Sequence, residues 1–177
     1  MLCKISTFFL TALSFAGCSS AQNLPGAADL VTPPGHEKVF EFKTLPSSVQ
    51  IYTCKAGAGN SFTWAGPDPD AILIGLNDKN LTVHHYRGPT WETTDGSVVK
   101  ASNPKHFQAA RENAVDWLQL KANGGTQQFA KVAYIHRIDT QGGVAPDPAS
   151  HACDATHAGD QVRVPYSAKY QFYAPSR

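Results

Sequence analysis

The amino-acid sequence predicts an all-β domain, an antiparallel sandwich or barrel of about eight to ten strands. Apolar residues recur at every second position in several short segments, as they do when one face of a strand is buried. Residues that tolerate positive φ separate these segments, which is typical of turns between antiparallel strands. The clearest turns are Lys55 to Asn60, Asn77 to Asn80, Asp95-Gly96 and Asn123 to Gly125.

The strongest strand prediction is at the C-terminus, where the even-numbered residues from Val162 to Phe172 form one largely apolar face. The opposite face carries Arg163 and Lys169, so this strand is expected to be half-buried. Weaker alternation predicts strands whose apolar faces contain Phe40 and Phe42, Val49 and Ile51, Ile72, Ile74 and Leu76, Leu81, Val83 and His85, or Ala130, Val132, Tyr134 and Ile138.

One segment has helical spacing instead. Phe107, Ala110 and Ala114 follow Asn103-Pro104, which have the residue types of a helix cap and first helical position. We therefore predict a short surface helix over residues 105–113.

The N-terminus has the features of an export signal. Lys4 provides a positive charge, and residues 5–16 form an apolar run that is too short to span a bilayer. Residues 1–17 are therefore predicted to be a signal peptide. The sequence Phe15-Ala16-Gly17-Cys18 resembles a bacterial lipobox, which predicts lipidation of Cys18; cleavage after Ala21 is the alternative. The expected location is the bacterial cell envelope or the outside of the cell, with membrane contact through a lipid anchor only.

The remaining chain has the length of one domain. Removing 17 of the 177 residues leaves 160, which we divide into a Pro- and Gly-rich tether at 18–36 and a single domain at 37–177. Lys4 is the only charged residue removed, so the mature chain has 14 basic and 14 acidic side chains. This balance argues against nucleic acid as a partner.

Two cysteines remain after processing. Cys3 leaves with the signal peptide and Cys18 is lipidated or removed, so Cys54 and Cys153 are predicted to form a disulfide in an oxidising compartment. A redox or metal-binding role for this pair is the weaker alternative, because the sequence lacks Cys-x-x-Cys spacing.

The densest group of polar and aromatic residues lies at 84–99. Alternation places His85 on an apolar strand face, and the same rule predicts that His136 points inward. If the two histidines converge, they are candidate metal ligands, or an acid/base group with Glu92 or Asp95. The alternative is that each histidine is hydrogen-bonded within the core. No cofactor is expected, and a metal ion remains a weaker possibility.

Trp91 and Glu92 are candidates for a binding pocket, with the indole stacking on a ligand ring and the carboxylate binding its polar groups. Packing at a corner of the fold is the alternative interpretation. Ser97 joins the candidate site, but a nucleophilic role with His85 and Asp95 has little support, since no Gly-x-Ser-x-Gly turn is present.

Five blocks of sequence occur in a characteristic order: VQIYTC (49–54), HHYRGPTWETTDGSVV (84–99), DWLQLKA (116–122), YIHRIDTQGGVAP (134–146) and VPYSAKYQFY (164–173). Together they resemble the domain-of-unknown-function family 3455, a group of secreted bacterial and fungal proteins. The resemblance covers roughly residues 38–173 and includes His85, Trp91 and the Asp95-Gly96-Ser97 turn.

Fungal relatives in this family often carry the label malate dehydrogenase, which the sequence does not support. Such an enzyme needs a strand followed by a Gly-x-Gly-x-x-Gly turn that opens a helix. Here Gly57 and Gly59 have no third glycine at that spacing, and no helical pattern follows them.

We therefore expect a non-catalytic module that binds a small molecule, a glycan or an envelope partner near Trp91. The first alternative is a metal-dependent or acid/base enzyme centred on His85 and Glu92. The second is a structural envelope protein without a ligand.

Overall fold

The structure is a computed structural model that describes residues 25–177. It confirms the all-β prediction, since its regular elements are nine strands and three single turns of 3-10 helix. The signal peptide, Cys18 and the tether up to residue 24 lie outside the described residues. The strands are β1 (His36–Thr44), β2 (Val49–Ala56), β3 (Phe62–Gly75), β4 (Thr82–Tyr86), β5 (Thr90–Thr93), β6 (Val98–Phe107), β7 (Trp117–Gly125), β8 (Tyr134–Gly142) and β9 (Gln161–Pro175).

The strands form one antiparallel sheet that closes into a barrel. Strands β4 to β9 pair in sequence order, β9 continues to β2 and β3, and pairing of β3 with β4 completes the ring. Strands β1 and β2 both lie between β3 and β9, one after the other along their length. Strand β2 pairs with the N-terminal parts of β3 and β9. Strand β1 pairs with the C-terminal parts of the same two strands. Closure leaves one interior, which the inward-facing side chains fill.

The predicted inward faces are correct for three strands. In β9, Tyr166, Ala168, Tyr170 and Phe172 are buried, and Phe42 of β1 and Val83 of β4 join them in the core. Aromatic rings dominate this core: Phe42 and Phe129 each lie close to Phe172, with ring centroids 5.1 and 5.3 Å from it. Such packing contributes stability beyond the burial of area.

The predicted faces are wrong for three other strands. In β2 the buried residues are Gln50 and Tyr52 rather than Val49 and Ile51. In β3 they are Ala71 and Leu73 rather than Ile72 and Ile74, and in β8 the inward residues are Ile135 and Arg137. In each case apolar residues occupy both faces or a polar residue faces inward, so alternation of polarity does not identify the buried side.

The predicted helix over 105–113 is also wrong. Strand β6 continues to Phe107, and the residues after it form turns. Asn103 has a φ of 51°, and the β6–β7 register shifts between Ser102 and Lys105. Asn103 and Pro104 therefore mark a β-bulge, where an interrupted ladder accommodates a proline, rather than a helix cap.

Residues 25–35, part of the predicted tether, lie against the outside of the barrel. The Gln108 N–H donates to the Pro25 carbonyl at 2.7 Å, and Pro33 is buried. The ring of His36 then packs edge-on against Tyr134, with centroids 4.9 Å apart. No helix among residues 25–177 has the length and apolar character needed to cross a membrane.

The predicted disulfide is confirmed. Cys54, near the end of β2, is bonded to Cys153 in the long loop between β8 and β9, with their Cα atoms 5.4 Å apart. The backbone N–H groups of Cys54 and Gly159 donate to the Asp160 and Cys54 carbonyls, each at 2.9 Å. The disulfide and these bonds hold this loop at one end of the barrel.

Candidate functional site

A cavity of about 200 Å³ extends into the barrel and is open to solvent on one side. It combines apolar walls with a few buried polar side chains, which is the usual composition of a small-molecule site. Residues of several strands line it, with exposed ones at the open side: Gln50 of β2, Pro67 and Pro69 of β3, His85 of β4, Pro89 just before β5, Trp91 of β5, His106 of β6, Leu118 and Leu120 of β7, Arg137 of β8 and Tyr170 of β9.

His85 and Trp91 form a stacked pair of rings that lines the cavity. They are opposite each other in the β4–β5 ladder, and their rings stack with centroids 4.2 Å apart and planes 4° from parallel. Tyr170 packs edge-on against both rings, at 5.1 Å from His85 and 5.9 Å from Trp91. The β4–β5 ladder and Tyr170 of β9, a strand that does not pair with β4 or β5, therefore hold the three rings together.

His85 is a neutral hydrogen-bonding group. Burial lowers its pKa to about 3, so the imidazole is uncharged at neutral pH. Its Nδ1 donates to the Thr90 carbonyl at 2.9 Å. Because neutral imidazole carries one proton, Nε2 then has a lone pair and can accept a hydrogen bond.

Two other lining residues carry buried polar atoms without a protein partner. Gln50 is fully buried, and neither its amide oxygen nor its amide nitrogen forms a hydrogen bond with the described residues. The Trp91 indole N–H, on a side chain that is 1% exposed, is also unpartnered there. Buried polar groups are nearly always hydrogen-bonded, so these atoms require an explanation.

Arg137 brings a positive charge to the cavity. Its residue is 8% exposed, and its Nε and Nη2 donate to the Asp116 carbonyl at 3.1 and 2.8 Å. The Asp116 carboxylate instead contacts His106, with Oδ2 and Nδ1 3.0 Å apart. His106 has an exposed side chain, so it marks the side on which the cavity approaches solvent.

Comparison with known families agrees with the sequence blocks. The profile of a family described as a protein of unknown function, DUF3455, matches residues 34–174, nearly the whole chain. The chain belongs to the DUF3455 family. Comparison of this DUF3455 chain with curated proteins and with solved structures finds no significant match. Its function must therefore be inferred from its own residues.

The family motif at 84–99 does not converge on one site in this DUF3455 chain. Glu92 opposes His84 on the outer face of the barrel, where its Oε2 accepts a hydrogen bond from the Tyr86 hydroxyl at 2.8 Å. His85 and Trp91 face the interior instead. Because adjacent residues of a strand point to opposite faces, Glu92 and His85 are not an acid/base pair.

Asp95 and Ser97 build the turn between β5 and β6. One carboxylate oxygen of Asp95 accepts hydrogen bonds from the Ser97 N–H and hydroxyl at 3.0 and 2.9 Å, and also from the Thr93 hydroxyl. The other accepts from the Gln128 amide at 2.8 Å. These bonds hold the pKa of Asp95 at about 2 and connect the turn to the 3-10 segment Gln127–Phe129. This arrangement stabilises the local backbone.

His136 is buried, but it is on the outer face of β8 and not in the cavity. It opposes Gln171 in the β8–β9 ladder and packs on Tyr173, with ring centroids 4.6 Å apart. The inward prediction is therefore wrong, and His85 and His136 do not converge. Within residues 25–177, no group of three or more His, Cys, Asp or Glu side chains has metal-binding geometry.

A larger groove of about 510 Å³ lies between residues 29–34 and the outer face of the barrel. Lys105, Lys121 and Tyr134 contribute to it. None of the buried unpartnered atoms found among residues 25–177 belongs to its lining. The interior cavity is therefore the stronger candidate, despite its smaller volume.

The sequence pattern predicts His85 and Trp91 as site residues, but it does not indicate Gln50, Arg137 or Tyr170, which also line the cavity. Tyr170 was predicted to be buried, without a functional role. Gln50 lies between Val49 and Ile51, and Arg137 lies between His136 and Ile138, so each is a polar residue in a predicted strand. This signal is visible in the sequence, but only strand register shows that both face inward.

Proposed function

We propose that this protein is an exported, lipid-anchored binding module that holds a small molecule in its interior cavity. The observation that carries the proposal is the unpartnered carboxamide of Gln50. A buried amide without a hydrogen bond costs about 1–3 kcal/mol, so a ligand that bonds to it would account for its presence. The Trp91 N–H and the His85 Nε2 offer a second donor and a second acceptor.

The cavity sets the size of this ligand. Its volume of about 200 Å³ is below the range of roughly 300–1,000 Å³ that holds drug-sized molecules. The stacked rings of His85 and Trp91 and the side chains of Leu118 and Leu120 provide apolar contacts. A compact ligand with an apolar body and one or two polar groups fits this lining best.

The test uses Gln50→Leu, which removes the carboxamide at nearly constant volume. Since the lost group has no protein partner, the free energy of unfolding of the unliganded variant should stay the same or rise by up to about 1–3 kcal/mol. Compounds that stabilise the wild type should bind the variant at least about tenfold more weakly. Thermal shift with a library of small polar compounds, followed by calorimetry, measures both quantities on the full chain with its disulfide intact.

Gln141→Leu is the matched control, because Gln141 is an exposed residue of β8. It should bind the same compounds as the wild type. If Gln50→Leu unfolds more easily and binds the compounds unchanged, Gln50 is a structural residue and the proposal is wrong. If no compound stabilises the wild type, a structural role in the envelope becomes the better account.

A further inference from the structure

The interior cavity contains a buried cation whose charge the described residues do not neutralise. None of the seven ion pairs within 4.0 Å among residues 25–177 includes Arg137. Its Nε and Nη2 bond to a backbone carbonyl, which carries no formal charge. Burying a charge is costly unless an opposite charge compensates it.

The other lining residues do not supply that opposite charge. The cavity wall has no aspartate or glutamate, and burial keeps His85 neutral. The nearby Asp116 carboxylate contacts His106. A permanent positive charge therefore meets a lining without a carboxylate. The Tyr170 hydroxyl interacts with one of the remaining N–H donors of Arg137, and a guanidinium has five such donors, so others are left for a ligand.

We infer that the ligand of this cavity is a small organic monoanion, a carboxylic acid with a short apolar body, bound through Arg137. This inference rests on the proposed function and names the chemical class of its ligand. A planar guanidinium matches the two oxygens of a carboxylate, and one cation balances one negative charge. Gln50 and the Trp91 N–H would bond the remaining polar atoms, while Leu118 and Leu120 contact the apolar body.

The experiment compares acids with amides of the same shape at pH 7. The probes are acetate and acetamide, propionate and propionamide, and benzoate and benzamide, titrated into the ¹⁵N-labelled full chain. The Trp91 indole resonance, assigned with Trp91→Phe, reports occupancy of the cavity. At least one acid should shift this resonance and bind at least about tenfold more tightly than its amide.

Arg137→Gln should reduce the ratio of acid affinity to amide affinity to about one, while leaving the affinity for the amide unchanged. Arg137→Lys retains the charge and should keep part of the preference. The matched control is Arg163→Gln, since Arg163 is an exposed residue whose side chain pairs with Asp70 on the outer face. It should behave as the wild type. The ratio of acid affinity to amide affinity can be measured on the wild type alone, so it tests the inference even if the Arg137 variants do not fold.

The outcomes separate this inference from the proposed function. Amides that shift the Trp91 resonance as strongly as the acids would overturn the carboxylate inference and leave the binding module standing. An acid that binds without moving the Trp91 resonance would place the anion site elsewhere. So would an acid that still binds more tightly than its amide in Arg137→Gln. Either result would also overturn the carboxylate inference. If none of the six probes moves the Trp91 resonance, both proposals fail.

Discussion

Gln50, His85 and Arg137 are buried polar residues in the barrel interior, where an apolar residue would ordinarily contribute more stability. Only His85 had a sequence signal that led to a functional prediction, because it lies in a dense polar and aromatic block. Gln50 and Arg137 are isolated in their strands, so their importance depends on which strands meet. That information comes from the register of β2, β8 and β9.

Buried histidines make stability depend on pH. Burial lowers the pKa of His85 to about 3 and that of His136 to about 4, whereas the unfolded chain keeps values near 6.5. Below pH 6.5 the unfolded state therefore binds more protons than the folded state, and the free energy of unfolding falls as the pH falls towards the folded pKa values. Each histidine should contribute a slope of up to about 1.4 kcal/mol per pH unit in this window.

Urea denaturation of the wild type and His85→Gln between pH 7 and 4.5 measures this effect. The variant should lose about half of the slope that the two histidines produce, since His136 remains, and His84→Gln, which changes the exposed neighbour, should retain the full slope. Equal slopes for His85→Gln and the wild type would show that His85 protonates without cost in the folded protein.

At the level of elements, the sequence predicted strands better than it predicted their orientation. Strand β9 has apolar residues on one face only, so its buried side was clear. Strands β2 and β3 have apolar residues on both faces, since Ile51 and Ile72 are half-buried on the outside. Asn103-Pro104 resembled a helix start because the same residue types also suit a bulge.

The disulfide provides a prediction for the loop of residues 143–160. Cys54 and Cys153 are 99 residues apart, and removing a bond that closes so long a loop should lower the free energy of unfolding by about 2–5 kcal/mol. Urea denaturation of a Cys54→Ala, Cys153→Ala double variant measures this loss, and the reduced wild type should match it. If the double variant and the reduced wild type unfold at the same urea concentration as the oxidised wild type, β2 and β9 hold the loop without the disulfide.

At the level of the whole molecule, an all-β class, a single disulfide and membership of the DUF3455 family were predictable from sequence. The cavity was not, because it requires lining residues from eight strands to meet in a closed barrel. The disulfide is compatible with an exported protein. Attachment to the envelope remains a proposal that depends on Cys18.

Lipidation can be tested in bacteria that express the full chain. The wild type should fractionate with membranes and incorporate labelled fatty acid, because a lipidated Cys18 becomes the new N-terminus. Cys18→Ala should move the protein to the soluble fraction of the envelope. A soluble wild-type protein that begins at Gln22 would instead support cleavage after Ala21.

The most direct test of the binding cavity is a crystal structure of the full chain grown with saturating benzoate. We expect electron density for benzoate between Gln50 and Arg137, with its ring beside Leu118 and Leu120. Ordered water molecules that bond to Gln50 and the Trp91 N–H, with no benzoate in the cavity, would contradict this expectation.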